Sequence, residues 1–232
     1  MKHVNKVGPA LLSELAEPAH GDRAGLAAAL RAGELVVDLR PAAEFIRGHI
    51  AGTLSVPATA ANFSTYVGWF VRYDQPTHLI LPALERGAAQ ELLAALRAIG
   101  IDRISSVTMP DALGGALKKM PCTRARNVAA GLADGTIVVL DVRGEAEYRE
   151  LHVVGAQHIP LGYLPNRLAD IARDKTVAVH CTSGYRSVIA SSLLRGLGFD
   201  SVVNMLDGIA GLSVELPMTP GQPAQSFALA GV

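Results

Sequence analysis

Two stretches of the chain repeat a pattern that narrows the fold to one class. Leu35-Val36-Val37-Asp38-Leu39-Arg40 and Ile137-Val138-Val139-Leu140-Asp141-Val142-Arg143 each run an apolar, β-branched segment into an aspartate and, two residues later, an arginine. Asp38 and Asp141 are 103 positions apart, as are Pro57 and Pro160, while Gly100-Ile101-Asp102 answers Gly198-Phe199-Asp200 at an offset of 98. The first half therefore carries five more residues between Pro57 and Gly100, and the stretch from Asn62 to Tyr73 best accommodates them. In each half, short apolar runs of strand length alternate with segments whose apolar residues recur at helical spacing. Parallel strands need such crossover segments between them, so the alternation predicts an α/β fold. The expected architecture is two tandem α/β domains, each a parallel sheet flanked by helices on both faces.

The 232 residues suffice for two separate cores. Residues 1–20 read as a lead-in, 21–120 as the first domain, 121–126 as a linker, 127–216 as the second domain and 217–232 as a tail. The stretch from Met109 to Arg126, with its prolines, glycines and basic residues, has linker composition. The tail has three prolines and no periodicity, and is expected to be mobile or draped over the surface. Lysine and arginine total 21 and so do aspartate and glutamate, which removes any general argument for nucleic acid or an anionic membrane as partner. No apolar run reaches membrane-span length, and Met1-Lys2-His3-Val4-Asn5 lacks the apolar core of a signal peptide. The two cysteines, Cys122 and Cys181, have no metal or redox spacing, which suits a reducing cytoplasm.

Chemistry concentrates in His180-Cys181-Thr182-Ser183-Gly184-Tyr185-Arg186-Ser187. The run Thr176-Val177-Ala178-Val179 before it reads as a buried strand, and Val188, Ile189, Leu193, Leu194 and Leu197 after it mark a helix stopping at Gly198. Most lone cysteines are inert core residues. Cys181, however, sits where a strand ends, a glycine-bearing loop turns and a helix begins. Backbone N–H groups there can form a nest for an anion and favour thiolate over thiol. Cys181 is the candidate nucleophile, with Thr182, Ser183, Gly184, Tyr185 and Arg186 as candidate substrate-binding residues; the Arg186 guanidinium adds a forked positive donor. Cys122, in the expected linker, reads as a bystander.

The loop resembles the active-site loop of rhodanese-type sulfurtransferases, with four residues between Cys181 and Arg186. The resemblance runs from about Ile137 to Leu212. It takes in the strand ending at Arg143, Glu147-Tyr148, Gly155-Ala156-Gln157-His158-Ile159-Pro160, Gly198-Phe199-Asp200-Ser201-Val202 and Asp207-Gly208. It implies two rhodanese-like domains and transfer of sulfane sulfur from thiosulfate or a persulfide to a thiol, sulfite or cyanide. The sulfur would travel as a persulfide on Cys181, with no metal or organic cofactor. It also implies that Asp141 and Arg143 are structural supports. His180 is expected to be packed and hydrogen-bonded on the opposite face from Cys181, and His152 and His158 to be turn or sheet-edge residues. Glu145, Glu147 and Glu150 are expected on a solvated face. Leu151 and Thr182 depart from the glycine and the basic residue common at these positions, so the turn at Leu151 is expected to differ and the loop to be less positive.

At an offset of 98, Cys181 falls on Ala83 and Arg186 on Ala88, with Pro82 and Glu85 nearby, so the first domain is expected to be catalytically empty. Asn5-Lys6-Val7-Gly8-Pro9-Ala10-Leu11-Leu12 resembles the connector of proteins that fuse tandem rhodanese domains to a metallo-β-lactamase-fold hydrolase or persulfide dioxygenase. That implies such an enzyme as a partner, or that the chain is part of a larger fusion. Two rival readings stay open: a persulfide-carrier or docking module, and a phosphatase- or arsenate-reductase-like enzyme, whose loops hold five residues between cysteine and arginine rather than four. Phe63, Tyr66, Trp69, Phe70 and Tyr73 are five of the chain's eleven aromatics. Their spacing predicts an amphipathic helix on its own core, or else a wall against the second domain or a docking surface.

Overall fold

The computed structural model describes residues 15–83 and 87–221. The chain divides into two units between Met120 and Pro121. In the first, β1 (Ala19–His20), β2 (Leu35–Asp38), β3 (Leu54–Ser55), β4 (Thr77–Ile80) and β5 (Ile104–Thr108) form one sheet in the order β1-β5-β4-β2-β3, with every pairing parallel. Its crossovers use α1 (Arg23–Arg31), α2 (Ala42–Arg47), α3 (Phe63–Gly68) and α4 (Ala88–Arg97). Helix α1 starts at Asp22, whose carboxylate accepts the Gly25 N–H at 2.8 Å and so satisfies one of the unpaired amides of the first turn. Leu26, Ala29, Val36, Ile50, Ile80 and Leu113 pack into one apolar cluster of this unit.

The second unit holds β6 (Cys122–Thr123), β7 (Ile137–Asp141), β8 (His152–Val153), β9 (Gln157–His158), β10 (Thr176–His180), β11 (Val202–Met205) and β12 (Met218–Thr219). Its main sheet runs β6-β11-β10-β7-β9, all parallel, and β12 pairs antiparallel with β8. Strand for strand this is the order of the first sheet. The helices are α5 (Ala129–Ala133), α6 (Glu145–Glu150), α7 (Tyr185–Gly196) and α8 (Ile209–Glu215). Val177, Ala178, Val179 and His180 are consecutive and all buried, and successive strand residues face opposite ways, so β10 is covered on both faces. Helix α7 buries seven of its twelve residues, including Ser187, Ser191 and Ser192; small side chains let it lie close to its neighbours. Leu197, the last residue of the helical spacing, caps the helix and is 45% exposed. Among the described residues no helix is long and apolar enough to cross a membrane.

The repeat extends to individual hydrogen bonds. In the first unit Asp38 accepts the Arg40 amide at 3.0 Å and clasps its guanidinium, which also donates to Gly48 O at 2.9 Å. In the second, Asp141 accepts the Arg143 amide at 2.9 Å, and Arg143 reaches Leu151 O at 2.7 Å. Both carboxylates are wholly buried. Burial pushes the Asp38 carboxyl above its ordinary pKa, against the lowering effect of Arg40. His49 stacks on Phe45 and His152 on Tyr148, each imidazole contacting the carbonyl four residues back.

Several expectations need correction. The expected linker, residues 121–126, is built into the second unit: Cys122 and Thr123 pair with Asn204 and Met205, and Ala125 lies in the core cluster. A two-residue edge strand has too few positions to show any period. For the same reason β1 and β12 fall in segments read as lead-in and tail; residues 222–232 of that tail lie outside the described residues. At the turn, Leu151 (φ −161°) and its first-unit counterpart Gly48 (φ −175°) both have extended backbone open to any residue, so this turn does not require glycine. The aromatic helix is short. It buries Phe63 and Val67, while Trp69 and Tyr73 beyond its end are 46% and 37% exposed.

Candidate active site

Parallel pairing places His180 beside Asp141 at the carboxyl end of β10, so Cys181 is the first residue past the strand. Three residues on, Gly184 takes a left-handed conformation (φ 95°) and caps the N-terminus of α7. The loop thereby folds back on its own cysteine, and the Gly184 N–H donates to Cys181 Sγ at 3.1 Å. The thiol group is nearly covered, with Cys181 at 2% exposure. Thr182 and Ser183 are exposed and Tyr185 and Arg186 half-buried around it. Ile209 N–H, at the start of α8, donates to Thr182 O at 3.1 Å and ties the loop to the end of β11. Asp207 holds the neighbouring turn by accepting from the Ala125 amide at 2.7 Å and from Arg124 at 3.0 Å.

Arg186 does not point at open solvent. Its guanidinium meets Glu147 of α6 in a two-pronged bond, at 2.6 Å to one carboxylate oxygen and 2.7 Å to the other. Thr182 Oγ1 donates to the same carboxylate at 2.6 Å and accepts from Arg186 at 2.9 Å, and the Gly144 N–H completes the set at 3.0 Å. The Arg186 hydrogen bonds hold Glu147 at a pKa of about 2, well below the usual carboxylate value, with the Thr182 and Gly144 bonds adding to the effect against partial burial. Glu147 was expected on a solvated face; it is instead the fixed counter-charge of the cysteine loop. Glu145 keeps its place on the surface, paired with Arg149.

His180 is fully buried, as expected, with its ring against the Cys181 backbone and Asp141. Its Nε2 lies 3.4 Å from Asp141 Oδ2. Loss of hydration dominates its titration and lowers its pKa, with Asp141 opposing, which favours the neutral ring. His152 and His158 both stack on Tyr148 and lie on β8 and β9. Among the described residues no group of three or more histidines, cysteines, aspartates or glutamates could hold a metal. Cys122 is half-buried on the edge strand β6, and burial raises its pKa, with a smaller opposing contribution from Asn204.

The first unit's equivalent loop is not where a single sequence offset puts it. Ile80 pairs with Asp38 as His180 pairs with Asp141, and Leu39 N–H donates to Ile80 O as Val142 N–H does to His180 O. Leu81, not Ala83, therefore occupies the cysteine's position. Gly87 (φ 94°) caps α4 as Gly184 caps α7, so seven positions lead from Ile80 to Gly87 where four lead from His180 to Gly184. The first loop is longer by three residues, and the five-residue surplus assigned to Asn62–Tyr73 is shared with it. Ala89, two residues past the cap, takes the place of Arg186; Glu85 lies outside the described residues.

Comparison with known proteins fits this geometry. The Rhodanese-like domain family matches residues 125–215. A sulfurtransferase of Allochromatium vinosum is 33% identical over 86 residues, covering 37% of this chain and 80% of that protein. The chain belongs to the rhodanese-like family. YrkF of Bacillus subtilis is 34% identical over 77 residues, 33% of this chain and 42% of that protein. The thiosulfate sulfurtransferase PspE of Escherichia coli is 39% identical over 67 residues, 28% of this chain and 64% of that protein. The chain thus spans less than two thirds of the length of either of these last two relatives. The rhodanese-like match begins inside the expected linker, at Ala125, which is buried in the second unit's core.

Proposed function

We propose that the second unit is a rhodanese-type sulfurtransferase that carries sulfane sulfur on Cys181. The observation that carries this reading is the Gly184 amide on Cys181 Sγ, at a strand-to-helix turn whose helix N-terminus faces the sulfur. A donor thiosulfate or persulfide presents its terminal sulfur and the Cys181 thiolate attacks it, releasing sulfite or a thiolate. The Cys181 persulfide that forms is then held by the same loop amide, an electrostatic task like that of an oxyanion hole. A thiol, sulfite or cyanide takes the sulfur in the second half-reaction. Thr182, Ser183, Gly184, Tyr185 and Arg186 shape the mouth of the loop, and Asp141 with Arg143 anchors the strand behind it. None of these steps draws on a metal or organic cofactor.

The shared strand order and the doubled Asp–Arg clasp support reading the first unit as a second rhodanese-like domain without catalytic equipment. A persulfide dioxygenase or metallo-β-lactamase-fold hydrolase is the proposed partner; the connector-like residues 5–12 that suggest it lie outside the described residues. Mass spectrometry after mixing with thiosulfate or glutathione persulfide tests the reading: one added sulfur is expected on Cys181, none in Cys181→Ser, and an unchanged gain in Cys122→Ser. Equal loss in the two variants, or no gain in the wild-type chain, overturns it.

A further inference from the structure

Arg186 is the single charged residue between Cys181 and Ser192, so it is the only side chain on the loop or the first two turns of α7 that could offset a donor's negative charge. It is already engaged by Glu147 through both carboxylate oxygens, and Thr182 adds a third bond to that carboxylate. The carboxylate stays ionised at any pH well above about 2, so the cancellation holds throughout the neutral range. A thiolate at Cys181 meeting thiosulfate gathers three negative charges, with the loop's one cation neutralised beside them. Like charges brought together at a nearly covered site are strongly opposed unless a counter-charge answers them. The sheet's rim at this end is also partly apolar: all strands of the main sheet are parallel, so the segments after β9 and β11 emerge at the same end of the sheet as the cysteine loop, and they carry Tyr163 at 50% and Leu206 at 48% exposure.

From the Glu147–Arg186–Thr182 network and this rim, we propose that the site selects organic hydropersulfides, R–S–SH, over the thiosulfate dianion as sulfur donors. The proposal rests on the sulfurtransferase reading and deepens it. The Cys181 thiolate uses its electron pair to form a bond to the terminal sulfur. The R–S–S bond breaks, its pair departs with R–S⁻, and the proton stays on the transferred sulfur. One negative charge enters the step and one leaves it, so no further cation is needed.

The experiment measures the rate of sulfur loading on Cys181 of the full chain by mass spectrometry, with thiosulfate and with 2-hydroxyethyl hydropersulfide, which carries at most one negative charge where thiosulfate carries two. Because the two donors differ in intrinsic reactivity, the readout is how their ratio responds to charge. Glu147→Gln, which removes the arginine's counter-charge, and Ser183→Lys, which adds a cation at an exposed loop position and leaves the network intact, should each raise thiosulfate loading relative to hydropersulfide loading by about tenfold. If Glu147→Gln perturbs the loop, both donors fall together and Ser183→Lys decides. An unchanged ratio in Ser183→Lys, or wild-type loading by thiosulfate as fast as by the hydropersulfide, overturns the donor assignment and leaves the sulfurtransferase reading standing. Failure of both donors to load the wild-type chain overturns both.

Discussion

A Cβ placed on Gly208 would stand 2.2 Å from the carbonyl oxygen of Thr182, the residue that follows the candidate nucleophile. The backbone of the cysteine loop rests directly on the start of α8, and Ile209 bonds the same oxygen from the next position. Gly208 has extended backbone, so the glycine is needed for closeness rather than for conformation.

Gly208→Ala should therefore displace the loop, since the atom it meets belongs to the backbone and cannot rotate away. We expect a loss of stability of about 1–3 kcal/mol, the usual cost of overpacking a tight contact. Sulfur loading of Cys181 should fall by more than the stability loss alone would give at a temperature where the variant is folded. Thermal melting and single-turnover loading check this together, and normal loading in a folded variant would show that the contact does not position the loop.

Glu147 links stability to acid. Its pKa is held at about 2 in the folded chain against an ordinary 4.5, so its contribution is fully present above about pH 4.5 and is lost as the pH falls toward 2. The carboxylate is 36% exposed, so solvent screening limits the contribution to about 1 kcal/mol. Glu147→Gln should melt below the wild-type chain at neutral pH, and the two should converge as the pH approaches 2. A difference constant across that range would show that the side chain's shape, not its charge, is what the loop requires.

Most of this loop was legible in the sequence, and its charge balance was not. The strand, cysteine, glycine and helix follow one another within twenty residues, and local patterns record local order. The partnership of Arg186 with Glu147 spans 39 positions and two elements, and Glu147 shares its short helix with two other glutamates of identical composition. Only the packing of α6 against the loop separates it from Glu145. The Glu147-Tyr148 pair within the family resemblance was the one available signal. The edge strands β1, β6 and β12 escaped because two residues cannot display an alternation. The first unit's loop was misregistered because one offset averaged over an insertion of three residues and a shortening of one.

The Glu147–Arg186 pair also changes what an arginine variant means. Arg186→Ala leaves Glu147 uncompensated beside the cysteine, so thiosulfate loading should drop further than hydropersulfide loading, by about tenfold in the ratio. Read alone, that result would look like a lost donor contact. The double variant Arg186→Ala/Glu147→Gln separates the two explanations, because it removes both charges and should return the donor ratio close to that of the wild-type chain. A ratio that stays depressed in the double variant would mean that Arg186 touches the donor itself.

The first unit's loop offers the sharpest test of register. Strand pairing puts Leu81 in the position of Cys181, its amide bonded to Thr108 O at 2.9 Å and its side chain 1% exposed. Pro82 follows, with no N–H to offer an anion, and the path to the helix cap is three residues longer than in the second unit. Neither Leu81→Cys nor Ala83→Cys, placed in a Cys181→Ser background, should gain a stable sulfur from thiosulfate or a hydropersulfide. Leu81→Cys should also lose about 1–3 kcal/mol of stability from the smaller core side chain, so loading is compared at a temperature where the variant remains folded. A lasting gain of one sulfur on either cysteine would mean that the long loop can still close over a thiolate, and that the missing nucleophile alone keeps this unit silent.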